Sequence, residues 1–177
     1  MTRKDGGSKG GAMHKAHMSY YYHMRRMKKK KNLFHDSSDQ LGLSKIGYYF
    51  IGGIIKSADA FAAWFNPSLN SYERLNATTT NSGSTYSPTA VTYSGNNRTH
   101  MIRIPDEGRF EFRAADGAVN PYLLQSGIIA MGLDGIKNKI DPGKSFDKDL
   151  YALSEDEVKK IPTVCCLLYT SPSPRDR

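Results

Sequence analysis

Residues 102–113 read IRIPDEGRFEFR, and this stretch predicts a strand, a tight turn and a second strand. Apolar and charged side chains alternate along the second strand, RFEFR at 109–113. Because successive side chains of a strand point to opposite faces, its two phenylalanines share one face, and Glu111 and its flanking arginines share the other. The charged face has two interpretations: a salt-bridged solvent surface, or a site where a carboxylate holds a divalent cation and the arginines hold anions.

Two helices are predicted on either side of this hairpin. In residues 41–65, apolar residues recur at spacings of three and four, as a buried helical face requires: Ile46, Phe50, Ile54, Ala58, Phe61 and Phe65. The adjacent Gly52 and Gly53 either weaken this helix or allow close packing, and the Asn-Pro pair that follows ends it. Residues 120–140 predict a second helix, with one face formed by Leu124, Ile128, Met131 and Ile136.

The positive charge of the chain is concentrated at one end. The 177 residues carry a net charge of +8, but residues 1–31 alone carry ten Lys or Arg and one acid, so the remaining residues sum to −1. Three tyrosines at 20–22 lie beside this basic run, and aromatic rings among cations are typical of single-stranded nucleic-acid contacts. A small basic nucleic-acid-binding protein is therefore one hypothesis, and a solvated charged loop is the simpler interpretation of the segment.

Composition bounds the class and location of the protein. Hydrophobic residues make up 38% of the chain, which is enough for a core. The longest apolar stretch, residues 46–55, is too short for a membrane span, which needs about 20 residues, and no secretory leader opens the chain. The adjacent Cys165 and Cys166 cannot form a disulfide framework or a tetrahedral metal site. We therefore expect a cytoplasmic protein.

The chain divides into three predicted parts. Residues 1–11, rich in Gly, Lys and Ser, predict a flexible leader, and residues 12–164 predict one domain. A long loop is expected within that domain at residues 76–97, where Thr, Ser, Asn and Gly dominate. Residues 165–177 resemble the translation of a sequencing-library adapter, so we expect an artefactual tail without packed core contacts.

Beyond Glu111, two clusters of side chains are candidates for binding. Arg98 and Arg103, near a glycine-containing turn, carry the fixed bidentate donors that clamp phosphate, although scattered surface arginine is the simpler interpretation, as it is for Arg74. His14 and His17, three residues apart in a basic segment, could bind a metal or contact phosphate.

These motifs, taken in their order, resemble those of glutamine synthetase. The resemblance runs from about residue 13 to residue 164. It rests on successive motifs that include NPSLNSYERL at 66–75, NNRT at 96–99, IRIP at 102–105, RFEFR at 109–113, NPYL at 120–123 and GLDGIKNKI at 132–140. The tract at 78–105 looks most like the divergent type III, or GlnT-like, branch. The resemblance implies an α+β fold, a fragment of the catalytic domain in which an antiparallel sheet forms one wall of the site and helices pack outside.

The resemblance also implies the chemistry. Members of the family are ATP-dependent ligases that use Mg²⁺ or Mn²⁺, phosphorylate the side-chain carboxylate of glutamate, and let ammonia displace phosphate from γ-glutamyl phosphate. They assemble as rings with the active site between neighbouring subunits. Family members are more than twice as long as this chain, so we expect a C-terminal portion that is inactive alone.

Site roles follow from the resemblance, residue by residue. Glu111 matches the metal-binding glutamate, and Glu111→Ala is expected to leave the fold intact because the side chain leaves the core face. Arg74 and Arg113 match the arginines that hold the substrate glutamate. Arg98 and Arg103 match the arginines that contact the transferring phosphate and the nucleotide. His14 is assigned to the metal and His17 to the nucleotide, but the family spacing is His-x-His, so which of the two is the site histidine stays open.

Two further departures from the family pattern matter for function. The main bacterial branch carries a flap glutamate after the arginine that matches Arg74, and that glutamate helps to deprotonate ammonium. Residues 76–88 here, NATTTNSGSTYSP, contain no acid. The acceptor therefore stays open between ammonia and an alkylamine or polyamine, as in a sister γ-glutamyl–amine ligase. Tyr151 matches a tyrosine that some members adenylylate, in a changed context, and we expect it in an exposed loop.

Overall fold

The computed structural model describes residues 32–75 and 88–164. The predicted leader, the basic segment with His14 and His17, the centre of the long loop and the predicted tail lie outside those residues. The elements, in chain order, are α1 (Lys45–Phe65), α2 (Leu69–Leu75), β1 (Tyr93–Ser94), β2 (Ile102–Asp106), β3 (Arg109–Phe112), α3 (Pro121–Asn138), a 3-10 turn (Leu150–Ala152) and α4 (Glu155–Val158).

The hairpin predicted from residues 102–113 is confirmed. Strands β2 and β3 are antiparallel, with Arg103 opposite Glu111. Gly108 closes the turn at φ +67°, and a Cβ there would lie 2.8 Å from the Cβ of His35, so the turn requires a glycine.

The sheet has a third strand that the sequence did not predict. Strand β1 pairs in parallel with β2, with Tyr93 opposite Ile102, so the sheet is mixed, with the order β1-β2-β3, rather than antiparallel throughout. The strand is two residues long and lies inside the polar tract that we had assigned to a loop. A pair of residues is too short to show the alternation by which strands are recognised.

One face of the sheet packs on α1. The ring centroids of Phe110 and Phe50 lie 5.7 Å apart, and those of Phe112 and Phe65 lie 5.0 Å apart in an edge-on contact. All four rings are buried. The apolar face of β3 is therefore the core face, as alternation predicted, and Glu111 lies on the side away from α1.

Helix α1 begins at Lys45, four residues later than predicted, with Ser44 as N-cap: its Oγ accepts a hydrogen bond from the amide of Gly47 at 3.3 Å. The prediction that Ile46 is buried is wrong, since 41% of the residue is exposed. Leu43 fills the core position in that turn, because its side chain occupies the space beside Gly47.

Helices α1 and α3 approach each other through glycines, which confirms the close-packing interpretation of the glycine pair. A Cβ on Gly53 would lie 2.1 Å from the carbonyl oxygen of Met131, and a Cβ on Gly135 would lie 2.1 Å from that of Tyr49. Both clashes are with backbone atoms, which cannot turn aside as a side chain can. The two helices are therefore fixed at a separation that only glycine permits.

Helix α3 matches the predicted second helix. Asn120 caps it, with Oδ1 accepting from the amides of Tyr122 at 2.9 Å and Leu123 at 3.3 Å. Three of the four residues predicted for its inner face are buried, and Ile136 is partly buried against the core: the three are Leu124, Ile128 and Met131. In the part of the chain that the structure describes, no helix has the length and apolar character needed to cross a membrane.

Candidate functional site

A buried ion-pair cluster occupies the charged face of the hairpin. Oε2 of Glu111 accepts a hydrogen bond from Nη1 of Arg103 at 2.8 Å, and Oε1 accepts one from Nη1 of Arg113 at 3.3 Å. The side chains are 5% exposed for Glu111, 11% for Arg103 and 10% for Arg113. These side chains are buried, so the interpretation of the charged face as a solvent surface is wrong. The salt bridges that this interpretation predicted are present.

The guanidinium groups of this cluster are of the kind that binds anions. Arg103 and Arg113 both pair with the carboxylate of Glu111 in a nearly dry setting. Electrostatic attraction is stronger there than in water, and guanidinium binds carboxylate and phosphate through paired N–H donors. A cluster of this composition can therefore bind an anionic group.

Asn96 orients one of these arginines. Its Oδ1 accepts hydrogen bonds from Nε, at 3.0 Å, and from Nη2 of Arg103, so this guanidinium is held by Asn96 on one side and Glu111 on the other. Sequence reasoning assigned no role to Asn96, although it lies two residues before Arg98 in the NNRT motif. The signal in the sequence was a side-chain amide, that of Asn96, close to the candidate residues Arg98 and Arg103.

The connection between β1 and β2 carries the second candidate arginine. Residues 95–99, hereafter the arginine loop, are irregular, and the side chain of Arg98 in this loop is exposed. Within residues 32–75 and 88–164, Arg98 makes no hydrogen bond or ion pair with another side chain. Its guanidinium is therefore available to a ligand, whereas that of Arg103 is already held in place.

The structure brings together only part of the predicted site. Arg103, Glu111 and Arg113 form one cluster, and Arg98 follows Asn96 of that cluster by two residues along the arginine loop. Arg74 lies in the last turn of α2, and its side chain is not among those described. Tyr151 lies in a 3-10 turn rather than an irregular loop. His14 and His17 are outside the described residues.

His100, the residue directly after the arginine loop, is buried, and sequence reasoning assigned it no role. Its ring nitrogens lie 2.8 Å from Oγ1 of Thr92 and 3.2 Å from the carbonyl oxygen of Lys148. Burial lowers the pKa of His100, and this effect outweighs the hydrogen bond to Lys148 and the charges of Asp147 and Asp149. The imidazole is therefore neutral at pH 7. A histidine two residues after a candidate arginine was the signal in the sequence.

Comparison with known families gives the family of the chain. The family described as glutamine synthetase, catalytic domain, matches residues 1–172.

The chain belongs to the glutamine synthetase family.

Among its relatives in this family, a glutamine synthetase from Rhizobium meliloti (strain 1021) is 57% identical over 120 residues, which are 68% of this chain and 28% of the relative. A glutamate–methylamine ligase from Methyloversatilis universalis is 43% identical over 131 residues, which are 73% of this chain and 29% of the relative. The chain is thus similar both to a protein named glutamine synthetase and to one named glutamate–methylamine ligase.

Solved structures extend the likeness to the fold. A GmaS–ADP complex superposes with a TM-score of 0.72 at 48% identity, covering 80% of this chain and 32% of that one. Ligand-free GmaS superposes with a TM-score of 0.65 at 46% identity, covering 77% of this chain and 29% of that one. The chain therefore has the glutamine synthetase catalytic-domain fold and spans roughly 30% of the length of the relatives that it matches.

Proposed function

We propose that this chain is part of the catalytic domain of an ATP-dependent ligase that forms the γ-amide of glutamate through γ-glutamyl phosphate. The observation that carries the proposal is the buried cluster in which Arg103 and Arg113 both pair with Glu111. Both substrates of the first step, glutamate and ATP, are anions, and phosphoryl transfer depends on positioning and on stabilising negative charge. The similarity to a GmaS–ADP complex supports nucleotide use.

Each arginine has a distinct proposed task. Arg113, with Arg74, holds the carboxylates of glutamate, because a guanidinium fixes the direction of a carboxylate through two donors. Arg103 is oriented by Asn96 and Glu111, so it meets the nucleotide phosphates without losing further side-chain freedom. Exposed Arg98 neutralises charge on the phosphoryl group as it is transferred.

A divalent cation, Mg²⁺ or Mn²⁺, fits Glu111 as one ligand. Carboxylate oxygen is the donor that these cations prefer, and each oxygen of Glu111 still has a lone pair beside the one that an arginine uses. The described residues contain no group of three or more His, Cys, Asp or Glu that could complete a site. We propose that the nucleotide phosphates and one of His14 and His17 supply further ligands, and that the cation neutralises phosphate charge.

The acceptor amine has a second candidate. Residues 76–88 contain no acid, and serine, threonine and tyrosine stay protonated at neutral pH, so this loop supplies no anionic base for ammonium. The likeness to a glutamate–methylamine ligase supports methylamine as the alternative acceptor. It also favours a position near the γ-glutamyl–amine ligases over the type III, or GlnT-like, branch.

The complete protein is proposed to work as a homo-oligomeric ring in the cytoplasm, as the family resemblance implies. Nucleic-acid binding is the less favoured hypothesis, because the basic residues that suggested it lie in segment 1–31 and the family match covers that segment as well.

The acceptor is tested by steady-state assays of the full-length parent protein with glutamate, ATP and Mg²⁺. We expect formation of ADP, phosphate and a γ-glutamyl amide with ammonium. A kcat/KM for methylamine that exceeds the value for ammonium by about tenfold, or about 1.4 kcal/mol of discrimination, would support the alternative acceptor. A polyamine serves as the third substrate, and absence of any amide product with all three amines would contradict both candidates.

A further inference from the structure

We propose that His100 is a positioning residue that fixes the arginine loop by joining it to residues 146–150, hereafter the strap. The kinetic part of this proposal rests on the proposed function. The structural part does not, because it concerns contacts within this chain.

The first step is the chemistry of the His100 contacts. A backbone carbonyl can only accept a hydrogen bond, so Nε2 of His100 carries the proton and donates to the oxygen of Lys148 at 3.2 Å. Nδ1 then accepts from the hydroxyl of Thr92 at 2.8 Å. The ring of Phe146 packs against the imidazole with centroids 5.9 Å apart. The side chain is fully buried, and it joins segments that are 48 residues apart.

The second step is the pattern of bonds between the loop and the strap. The Lys148 carbonyl also accepts from Nδ2 of Asn97 at 3.4 Å, and the amide of Leu150 donates to Oγ1 of Thr99 at 3.4 Å. Both bonds are longer than the His100 bond, and the Asn97 bond is also exposed, whereas the Leu150 bond is part-buried like that of His100. Because the His100 residue itself is fully buried and makes two side-chain hydrogen bonds, we expect it to contribute most to this junction.

The third step connects the junction to the arginines. Asn96, which orients Arg103, and Arg98 both lie in the loop between β1 and His100. At its other end, the strap is held to β1, where the amide of Phe146 donates to the carbonyl of Tyr93 at 3.0 Å. Loss of the bond between His100 and the Lys148 carbonyl would detach the arginine loop from the strap near Arg98. His100 therefore acts through Asn96 and Arg98 without touching substrate.

The test combines amide hydrogen exchange with kinetics on the full-length parent protein and compares three variants. His100→Ala removes both bonds and the ring, His100→Leu restores apolar volume only, and His100→Gln restores a donor at the position of Nε2. Lys148→Ala is the matched control, because it keeps the carbonyl that His100 uses and removes only an exposed side chain paired with Glu157.

We expect amide exchange of residues 97–99 and Leu150 to accelerate about tenfold in His100→Ala and His100→Leu, with recovery in His100→Gln and no change in Lys148→Ala. The amides of α3 should not change. The KM for ATP should rise about tenfold in the same two variants, while the KM for glutamate changes less than about twofold.

The proposal is overturned if His100→Leu restores both exchange and KM as well as His100→Gln does, because the residue then only fills space. It is also overturned if exchange in the loop is unchanged in His100→Ala. A parent protein that lacks ligase activity would contradict the proposed function alone, since exchange reports on the junction without substrate.

Discussion

Glu111→Gln is expected to lower the turnover of the full-length parent protein about 100- to 1,000-fold, the usual cost of removing a group that stabilises charge during reaction. The amide keeps the shape of the side chain and one acceptor oxygen, but it removes the charge that balances Arg103 and Arg113 and that fits a divalent cation. The concentration of Mg²⁺ needed for half-maximal rate should also rise. Steady-state assays across a Mg²⁺ titration measure both effects.

Asp156→Asn is the matched control, because Asp156 pairs with Lys159 at 3.6 Å on a surface where both side chains are more than two-thirds exposed. Such a pair contributes about 0–1 kcal/mol, so this variant should resemble the wild type in both rate and stability. A folded Glu111→Gln protein with unchanged turnover and unchanged Mg²⁺ dependence would show that Glu111 has no part in the chemistry.

From the sequence we expect Glu111→Ala to leave the fold intact, but the buried ion pairs of Glu111 change that expectation. Removing the carboxylate leaves two buried guanidinium groups without their shared anion, and breaking a buried ion pair in this way costs about 3–5 kcal/mol. We therefore expect a large loss of unfolding free energy in Glu111→Ala, measurable by denaturant titration. The glutamine variant loses the same charge but keeps the side-chain volume and one acceptor oxygen, so it is the better test of the catalytic role, and its unfolding free energy is measured beside its turnover.

Gly53→Ala is expected to lower the unfolding free energy by about 3 kcal/mol, at the upper end of the usual cost of overpacking. The added methyl would lie 2.1 Å from the carbonyl oxygen of Met131 and 2.8 Å from Cα of Gly135, so α1 and α3 would have to separate. For a chain of this size, that loss corresponds to a melting temperature lower by about 6–12 °C. Thermal unfolding followed by circular dichroism measures the shift.

Gly117→Ala provides the control for the same chemical change. A Cβ on Gly117 would meet nothing within 4 Å, and its φ is outside the left-handed region. The variant should stay within about 0.5 kcal/mol of the wild type. Equal melting temperatures for Gly53→Ala and Gly117→Ala would refute the close helix approach.

The hairpin and both long helices could be predicted because their patterns are local. Alternation in residues 109–113 and the three- and four-residue spacing of apolar positions each report on one element and its buried face. Gly52 and Gly53 left two interpretations open, because only the position of α3 decides between weakening and close packing. Ile46 was misplaced because Leu43, outside the helix, fills the core position in that turn.

The candidate site depended on contacts that sequence spacing does not show. Alternation placed Glu111 on the charged face, but its burial follows from Arg103 on the neighbouring strand and from Arg113 beside it. The role of His100 depends on Lys148, which is 48 residues away. Strand β1 was missed because it gains its pairing from β2 rather than from a pattern of its own.

The most direct measurement of the central claim follows oxygen atoms during turnover. The full-length parent protein would be given ATP, Mg²⁺, an amine and glutamate labelled with ¹⁸O in the γ-carboxylate, and the phosphate product would be analysed by mass spectrometry. If the reaction passes through γ-glutamyl phosphate, one carboxylate oxygen leaves with the phosphoryl group, so each amide formed should place one ¹⁸O atom in phosphate. Amide formation with unlabelled phosphate, or ATP hydrolysis without any amide, would contradict the account.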